Sequence, residues 1–383
     1  MPSRKYKIVY CTPALYMAGG VERVLTLKAN YFVEHFGYDI TVVLTEGKNK
    51  PFFYPLSDKI KIVNLDINFE DLWKFPFLCK IFVYMFKQYR YRHLLTALLM
   101  RVRPDITISL LRRDINFVTS IKDGSKKVGE LHINRANYRN FSKGHSNLFK
   151  WIFSFFWKKS LVRKLRKLDH LVVLTENDKE SWVELNNVSV IPNPLSFGTE
   201  KISNQTAKSV ISVGRYSYEK GYDLLLQAWA RVQNVCEDWT LRIYGDGDKS
   251  KYERMIDEFD INRNRCILYG TTRDVQSELA KSSLAVCSSR FEGFGMFILE
   301  AMACGLPVVS FDCPWGPRSI ILDNVNGILI ENENVDKLAE ALIKLIFDDK
   351  LRYQMANNAT NNIWKYKIDA VARKWKSLFD GVS

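Results

Sequence analysis

Glu292 and Glu300 are the two residues whose types and spacing say most about possible chemistry. A loop with two glycines separates them and runs directly into an apolar stretch, predicted as a helix over residues 296–304. The start of a helix offers free backbone N–H groups and a positive dipole end, which favour a phosphate. Glu292 precedes that position, and Glu300, in the second helical turn, can accept two hydrogen bonds from a vicinal diol such as a ribose. The pattern predicts a nucleotide-sugar site.

The same spacing also fits two solvated glutamates on either side of a buried helix. For an isolated pair of glutamates, that interpretation would be the better one. Here both glycines and the apolar helix accompany the pair, and Gly305 and Pro307 end the helix as a C-cap glycine followed by a proline should. The combination favours a binding site.

Two cations follow a strand predicted over residues 209–213. Arg215 and Lys220 share the loop after this strand, and open α/β sheets bind ligands at the carboxyl ends of their strands. The two cations could clamp a diphosphate and stabilise the charge on a departing nucleotide. The alternative is that Arg215 forms a surface ion pair with Glu219.

Candidate residues in the first half of the chain are less specific. Gly19 and Gly20 lie between the first predicted strand and its helix, where a diphosphate could approach backbone N–H groups, although such turns often carry glycine for steric reasons alone. His132 follows a strand predicted over residues 126–130 and could contact a sugar hydroxyl or shuttle a proton. A lone histidine is usually structural, but His132 is placed at the expected edge of a ligand cleft. The other histidines are not: His35, His93, His145 and His170.

No metal site is expected. Asp246-Gly247-Asp248 has the form of a D-x-D metal motif, but it follows the strand predicted over residues 240–244 and is interpreted as a glycine turn. The sequence contains no His/Cys/Asp cluster with metal-ligand spacing, no Ser-His-Asp arrangement and no Walker motif. We therefore expect no cofactor.

The bulk composition indicates a two-domain globular protein. The chain has 383 residues, 47% of them hydrophobic and 26% charged. The formal charge of +14 is uneven, because residues 1–190 hold 32 Lys+Arg against 17 Asp+Glu. This basic half could attract nucleic acid, anionic lipid or a phosphorylated substrate. Seven scattered cysteines without C-x-x-C pairs indicate a reducing cytoplasm, and neither a signal peptide nor a membrane-spanning stretch is expected.

Strand and helix signals alternate along the whole chain. This rhythm predicts two doubly wound, Rossmann-like α/β domains facing each other across a ligand cleft. The expected boundaries are residues 1–190, residues 191–366 and a C-terminal helix over residues 367–383. Two prolines and the polar run 199–208 are interpreted as a linker.

Two segments combine large aromatic side chains with dense Lys and Arg, residues 72–103 and 148–167. Such a composition is typical of an element at a membrane surface. An ordinary helix packed on the sheet, with a solvated basic face, is the alternative for both segments.

The chain resembles the retaining glycosyltransferases of family 4, which have the GT-B fold. The resemblance spans nearly the whole sequence and is carried by residues 19–22, 213–215, 220–221, 245–247 and 292–309. It implies a metal-independent transfer of a sugar from a nucleotide donor with retained anomeric configuration, and a final helix that crosses back to the N-terminal domain.

The resemblance also implies residue roles. Arg215 and Lys220 would hold the donor diphosphate, Glu300 the ribose hydroxyls, and Glu292 and His132 the donor sugar near its reacting centre. We therefore expect Glu292, His132, Arg215 and Lys220 to be catalytic. The remaining expected donor-binding residues are Gly19, Gly20, Gly245, Phe294, Gly295, Met296 and Glu300.

The stretch 313–321 is similar to enzymes that extend lipid-linked oligosaccharides and surface polysaccharides, often from UDP-hexose or UDP-N-acetylhexosamine donors. With the basic, aromatic first half, this predicts a polyprenyl-diphosphate-linked saccharide acceptor and a peripheral position on the inner, cytoplasmic face of the membrane. Nucleic acid is not expected as a partner, because no RNA-recognition motif is present. The alternatives are a GT-B-type phosphorylase or epimerase, and a membrane-surface or RNA-binding protein without transferase activity.

Overall fold

The computed structural model describes residues 4–136, 138, 158–198 and 200–382. The chain divides into two compact units. The first unit comprises Met1–Pro194 together with Ile368–Ser383, and the second comprises Leu195–Lys367.

A parallel sheet of seven described strands forms the centre of the first unit. The strands are β1 (Lys7–Thr12), β2 (Asp39–Leu44), β3 (Lys61–Asn64), β4 (Ile106–Ser109), β5 (Lys126–Glu130), β6 (His170–Val173) and β7 (Val188–Val190). Their spatial order is β3-β2-β1-β4-β5-β6-β7, so the direction of winding reverses between β1 and β4. The described helices are α1 (Gly20–Phe36), α2 (Phe77–Val102), α3 (residues 158–165), α4 (Glu176–Ser181) and α11 (Ile368–Val382).

The end of the chain completes the core of this first unit. On α11, Trp375 and Phe379 are buried against α1 and the start of β1. The Phe379 ring lies edge-on, 5.9 Å between centroids, to both Tyr6 and Phe32. The last helix is therefore part of the first unit although 173 residues of the second unit, Leu195–Lys367, precede it in the chain.

The second unit has a six-stranded parallel sheet. Its strands are β8 (Ser209–Val213), β9 (Thr240–Tyr244), β10 (Cys266–Tyr269), β11 (Leu284–Cys287), β12 (Val308–Phe311) and β13 (Gly327–Ile330). The order is β10-β9-β8-β11-β12-β13, with the reversal between β8 and β11. The helices are α5 (Tyr222–Val235), α6 (Ser250–Glu258), α7 (Val275–Ala280), α8 (Met296–Ala303), α9 (Val335–Phe347) and α10 (Asp349–Asn361).

The prediction of two doubly wound Rossmann-like domains is confirmed for each unit. Several details differ. The short strand β7, at the end of the predicted first domain, is the last strand of the first sheet. The strand β13 had not been predicted. The polar run predicted as a linker packs on the second unit: Ser203 and Gln205 are buried and bond the backbone at the end of α8 and just beyond it.

The aromatic segment 72–103 forms α2 and the turn before it. One side of α2 is buried through Tyr91, Leu95 and Leu99. The first half of this helix exposes a row of apolar side chains at helical spacing, which consists of Leu78, Ile81, Phe82, Met85, Phe86 and Tyr89. No described helix is long and apolar enough to cross a membrane. Most of the second segment, residues 148–157, lies outside the described residues.

Candidate active site

Two loops meet at the point where the second sheet reverses its winding. One follows β8 and carries Arg215 and Lys220, and the other follows β11 and carries Glu292. Because β8 and β11 are parallel neighbours, both loops leave the same edge of the sheet. The topology therefore brings together side chains more than 70 residues apart in sequence.

Lys220 and Glu292 form an ion pair at this edge. The Lys220 Nζ donates a 2.6 Å hydrogen bond to Glu292 Oε1, and the same oxygen accepts a 2.7 Å hydrogen bond from the Ser289 hydroxyl. Burial by itself would lower the pKa of Lys220, but the Glu292 carboxylate more than offsets this and raises the pKa above its ordinary value. Lys220 is thus a fixed positive charge at neutral pH.

Arg215 has a different environment. Its guanidinium is 72% exposed and donates a 3.0 Å hydrogen bond to Glu219 Oε1. The surface ion pair considered as an alternative therefore exists. An exposed pair of this kind contributes little to stability, and its side chains are free to exchange partners.

Arg290 anchors the loop that carries Lys220. Its guanidinium donates two hydrogen bonds to the Asp223 carboxylate, 2.9 and 2.8 Å, and one of 2.9 Å to the carbonyl of Tyr218. The hydroxyl of Ser288 also donates to the carbonyl of Lys220. A bidentate, largely buried pair fixes both geometry and charge. The backbone on both sides of Lys220 is held in place.

The helix α8 begins directly beyond Glu292. Gly295 precedes it with φ +92°, a left-handed conformation that side chains with a Cβ rarely adopt. Phe294 is buried edge-on against Tyr366, and Met296 is the first helical residue. The loop turns sharply at this glycine, and α8 begins at Met296, four residues after Glu292.

Glu300 lies within α8 and is 4% exposed. One of its carboxylate oxygens accepts a hydrogen bond from the Ser196 hydroxyl. A nearly buried carboxylate needs such partners to remain charged. The solvated-glutamate interpretation is wrong for Glu300, whose side chain is held inside the second unit.

Gly245 allows the backbones after β8 and β9 to touch. A Cβ at this position would lie 1.9 Å from the carbonyl oxygen of Gly214. No side chain can be accommodated there unless the backbone moves. Gly245 therefore has a packing role beside the loop of Arg215 and Lys220, and contact with the donor stays a prediction.

Gly19, Gly20 and His132 belong to the first unit. Gly19 precedes α1, and a Cβ on Gly20 would meet nothing within 4 Å. His132 follows β5, and its Nε2 lies 3.1 Å from Glu130 Oε1. Both positions follow the carboxyl ends of parallel strands of one sheet. Their roles toward a donor stay predictions.

Sequence reasoning missed the supporting residues of the second unit: Ser196, Asp223, Ser288, Ser289 and Arg290. The signal available was the run of Ser288, Ser289 and Arg290 between a buried strand and Glu292. Polar residues directly after a buried strand are typical of a site edge. Among the described residues, no group of three or more His, Cys, Asp or Glu side chains could hold a metal ion.

Residues 199–362 match the family model of Glycosyl transferases group 1. The chain thus carries a group 1 glycosyl transferase domain, and this domain contains Arg215, Lys220, Glu292 and Glu300. The match covers the second unit almost completely.

Known proteins resemble the whole chain. An uncharacterized glycosyltransferase of Haemophilus influenzae is 29% identical over 374 residues, which cover 94% of this chain and 96% of that protein. The amylovoran biosynthesis glycosyltransferase AmsD of Erwinia amylovora is 25% identical over 394 residues, 98% of this chain and all of that one. The chain resembles bacterial glycosyltransferases of surface polysaccharides.

The structure of a TarM mutant from S. aureus, in complex with fondaparinux, alpha-GlcNAc-glycerol and UDP, superimposes with a TM-score of 0.76. The alignment covers 98% of this chain and all of that one, at 19% identity. The prediction of a GT-B fold is confirmed.

Proposed function

We propose that this protein is a retaining glycosyltransferase that moves a hexose or N-acetylhexosamine from a UDP-sugar to a saccharide acceptor in surface polysaccharide or glycan biosynthesis. The observation that carries the proposal is the Lys220–Glu292 pair beside the start of α8, with Glu300 fixed four residues into that helix. The UDP complex of TarM, a protein of the same fold, supports the choice of nucleotide.

The chemistry follows from where charge develops. As the bond between sugar and diphosphate breaks, negative charge grows on UDP. Lys220, Arg215 and the N–H groups that start α8 would stabilise this charge, which is the task that fixed dipoles and cations perform in a transition state. No metal is needed for a step in which protein cations neutralise the leaving group.

Glu292 changes partner in this scheme. In the structure it accepts hydrogen bonds from Lys220 and Ser289. A bound diphosphate would compete for the Lys220 ammonium, and the Glu292 carboxylate would then be available to hydrogen-bond the donor sugar. Glu300 would accept from the ribose hydroxyls, as a carboxylate pre-positioned by Ser196.

A transfer assay tests the proposal. The protein is incubated with a panel of UDP-sugars, and release of UDP is measured with and without polyprenyl-diphosphate-linked saccharides. We expect release that depends on the acceptor and on one sugar, with the α configuration of the donor kept in the product. Release of free sugar phosphate, or epimerised donor without transfer, would show a phosphorylase or an epimerase instead.

The acceptor class is supported by α2. Its exposed row of six apolar side chains, with Phe82 at 73% and Phe86 at 66% exposure, is flanked by Lys80 and Arg90. A helix with an apolar face and flanking cations suits an anionic membrane surface. This is where a polyprenyl-diphosphate-linked acceptor would be found.

Membrane binding is tested by co-sedimentation with phosphatidylglycerol vesicles. Replacing Phe82 and Phe86 together by glutamate should abolish binding, because the change removes apolar area and reverses the local charge. Phe347→Glu is the matched control, since Phe347 is equally exposed, at 66%, on the second unit. Equal binding of the double variant and the wild type would exclude α2 as the membrane contact.

A further inference from the structure

A buried ion pair lies behind His132 in the first unit. Lys28 on α1 and Glu130 at the end of β5 have side chains only 1% and 2% exposed, and Lys28 Nζ hydrogen-bonds Glu130 Oε1. The same oxygen of Glu130 is 3.1 Å from His132 Nε2. Lys28 also lies 4.3 Å from the ring centroid of Trp375 on α11.

A buried ion pair is energetically unfavourable compared with apolar side chains of the same volume. Removing two charges from water costs several kcal/mol per ion, and well-packed apolar residues often replace a buried pair without loss of stability. Burial lowers the pKa of Lys28 even though the Glu130 carboxylate counteracts it. This cost in desolvation free energy suggests that the Lys28–Glu130 pair has a function besides packing the core.

The position of Glu130 indicates which residue the buried pair acts on. It is the last residue of β5, and His132 is two residues further along the same backbone. Tyr10 on β1 is also influenced by the Glu130 charge, and its pKa is raised by burial and by that charge. Lys28 on α1, Tyr10 on β1 and His132 therefore surround the carboxylate.

The two ring nitrogens of His132 have different surroundings. Nε2 is beside the carboxylate, although the ring is turned so that its N–H does not point directly at the oxygen. Nδ1 has no hydrogen-bond partner among residues 4–136, 138, 158–198 and 200–382. A carboxylate next to one nitrogen stabilises the tautomer that carries the proton there, which leaves the other nitrogen as an acceptor.

We propose that Glu130 is a positioning residue for His132, held in its ionised form by Lys28. It keeps the proton of the neutral imidazole on Nε2, so that the buried Nδ1 is left as a hydrogen-bond acceptor. The role in catalysis rests on the proposed sugar transfer, whereas the tautomer assignment does not.

The test replaces both charges at once. Lys28→Met with Glu130→Leu removes the pair and leaves no uncompensated ion, so this double variant should fold with a thermal midpoint close to that of the wild type. Lys127→Met with Asp123→Asn is the matched control, because it removes another buried pair at the other end of the same strand β5.

The first readout is the two-bond ¹H–¹⁵N spectrum of the histidines at pH 8, with His132→Gln to identify the signals of His132. We expect only the Nε2–H tautomer for His132 in the wild type and in the control, and a mixture of both tautomers in Lys28→Met/Glu130→Leu. An unchanged tautomer in the latter would overturn the proposal. This readout needs no substrate, so it holds even if the transfer assay fails.

The second readout is turnover. Partners that fix the tautomer of a metal-ligating histidine typically affect activity 10–100-fold. By analogy, kcat should fall on the order of 10-fold in Lys28→Met/Glu130→Leu and remain unchanged in the control. In a His132→Gln background the same pair of changes should cause no additional loss, because the effect acts through His132. Full turnover in the folded double variant, or an additive loss in that background, would contradict the positioning role.

Discussion

Lys220 and Glu292 are joined by a 2.6 Å hydrogen bond although 71 residues separate them in the chain. The pair neutralises two charges at the edge where β8 and β11 end. In the proposed function, a donor diphosphate would have to compete with the Glu292 carboxylate for the Lys220 ammonium. Binding of the donor and release of Glu292 are therefore expected to be coupled.

Removing the ammonium should impair catalysis more than folding. Lys220→Met keeps the aliphatic stem and loses the charge, and we expect turnover to fall on the order of 100-fold, as for other lost donors to a developing anion. UDP release in the presence of acceptor is the measurement. Lys337→Met is the control, since Lys337 makes an exposed ion pair with Glu331 on the surface of the second unit. Wild-type turnover in folded Lys220→Met would refute the role of this cation.

Substitutions of Arg215 and of its partner Glu219 should have opposite effects on the reaction with the donor. Arg215→Ala is expected to lower turnover on the order of 100-fold, because the second cation is lost. Glu219→Gln should leave the unfolding free energy within about 1 kcal/mol, since the ion pair is exposed. It should lower the donor KM, because Arg215 no longer has a competing carboxylate. If Glu219→Gln raises the KM instead, Arg215 depends on Glu219 for its position.

The loops after β8 and β11 show which features of the site the sequence predicts and which it does not. The types and spacing of Arg215, Lys220, Glu292 and Glu300 indicated diphosphate and ribose chemistry, and alternating strands placed them at one sheet edge. The partner of Glu292 could not be predicted. Which of two nearby cations reaches a carboxylate depends on the path of a loop, here fixed by the bonds of Arg290 to Asp223 and to the carbonyl of Tyr218.

Gly245→Ala should be destabilising. The added methyl would lie 1.9 Å from the Gly214 carbonyl oxygen, so the two strand ends must separate, at a cost of about 1–3 kcal/mol. Gly270→Ala is the matched control, because its Cβ would meet nothing within 4 Å. Urea unfolding measures the difference. Equal midpoints for the two variants would show that the close approach of the backbones is not required.

The buried pair of the first unit predicts a specific pH dependence. Burial would raise the pKa of the Glu130 carboxyl, but the Lys28 ammonium beside it holds this pKa at about 2, below its ordinary value of 4.5. A depressed carboxyl pKa contributes stability above pH 4.5 that is lost as the pH falls from 4.5 towards 2.

The urea midpoint of the wild type should therefore fall more steeply between pH 5 and pH 3 than that of Lys28→Met/Glu130→Leu, in which no carboxyl can take up this proton. All other carboxylates are shared by the two proteins and cancel in the comparison. Parallel curves would show that Glu130 does not have a depressed pKa in the folded protein.

The parts of the fold that the sequence did not predict have a common physical reason. The strands β7 and β13 contain only three and four residues, too few for a clear period of alternating burial. Similarly, the pair of Lys28 and Glu130 joins a helix to a strand more than 100 residues later, and nothing in either local sequence marks these residues as buried. The last helix is amphipathic, and its buried residues Val371, Trp375 and Phe379 recur at helical spacing.

Calorimetric titration with UDP tests the central claim most directly, since it measures the nucleotide diphosphate site without an acceptor. We predict saturable binding of one UDP to the wild type, at least 10-fold weaker binding to Lys220→Met, where the charge-assisted hydrogen bond to phosphate is lost, and unchanged binding to Lys337→Met. No binding to the folded wild type, or equal affinity for the Lys220→Met variant, would contradict the assignment of this sheet edge as the donor site.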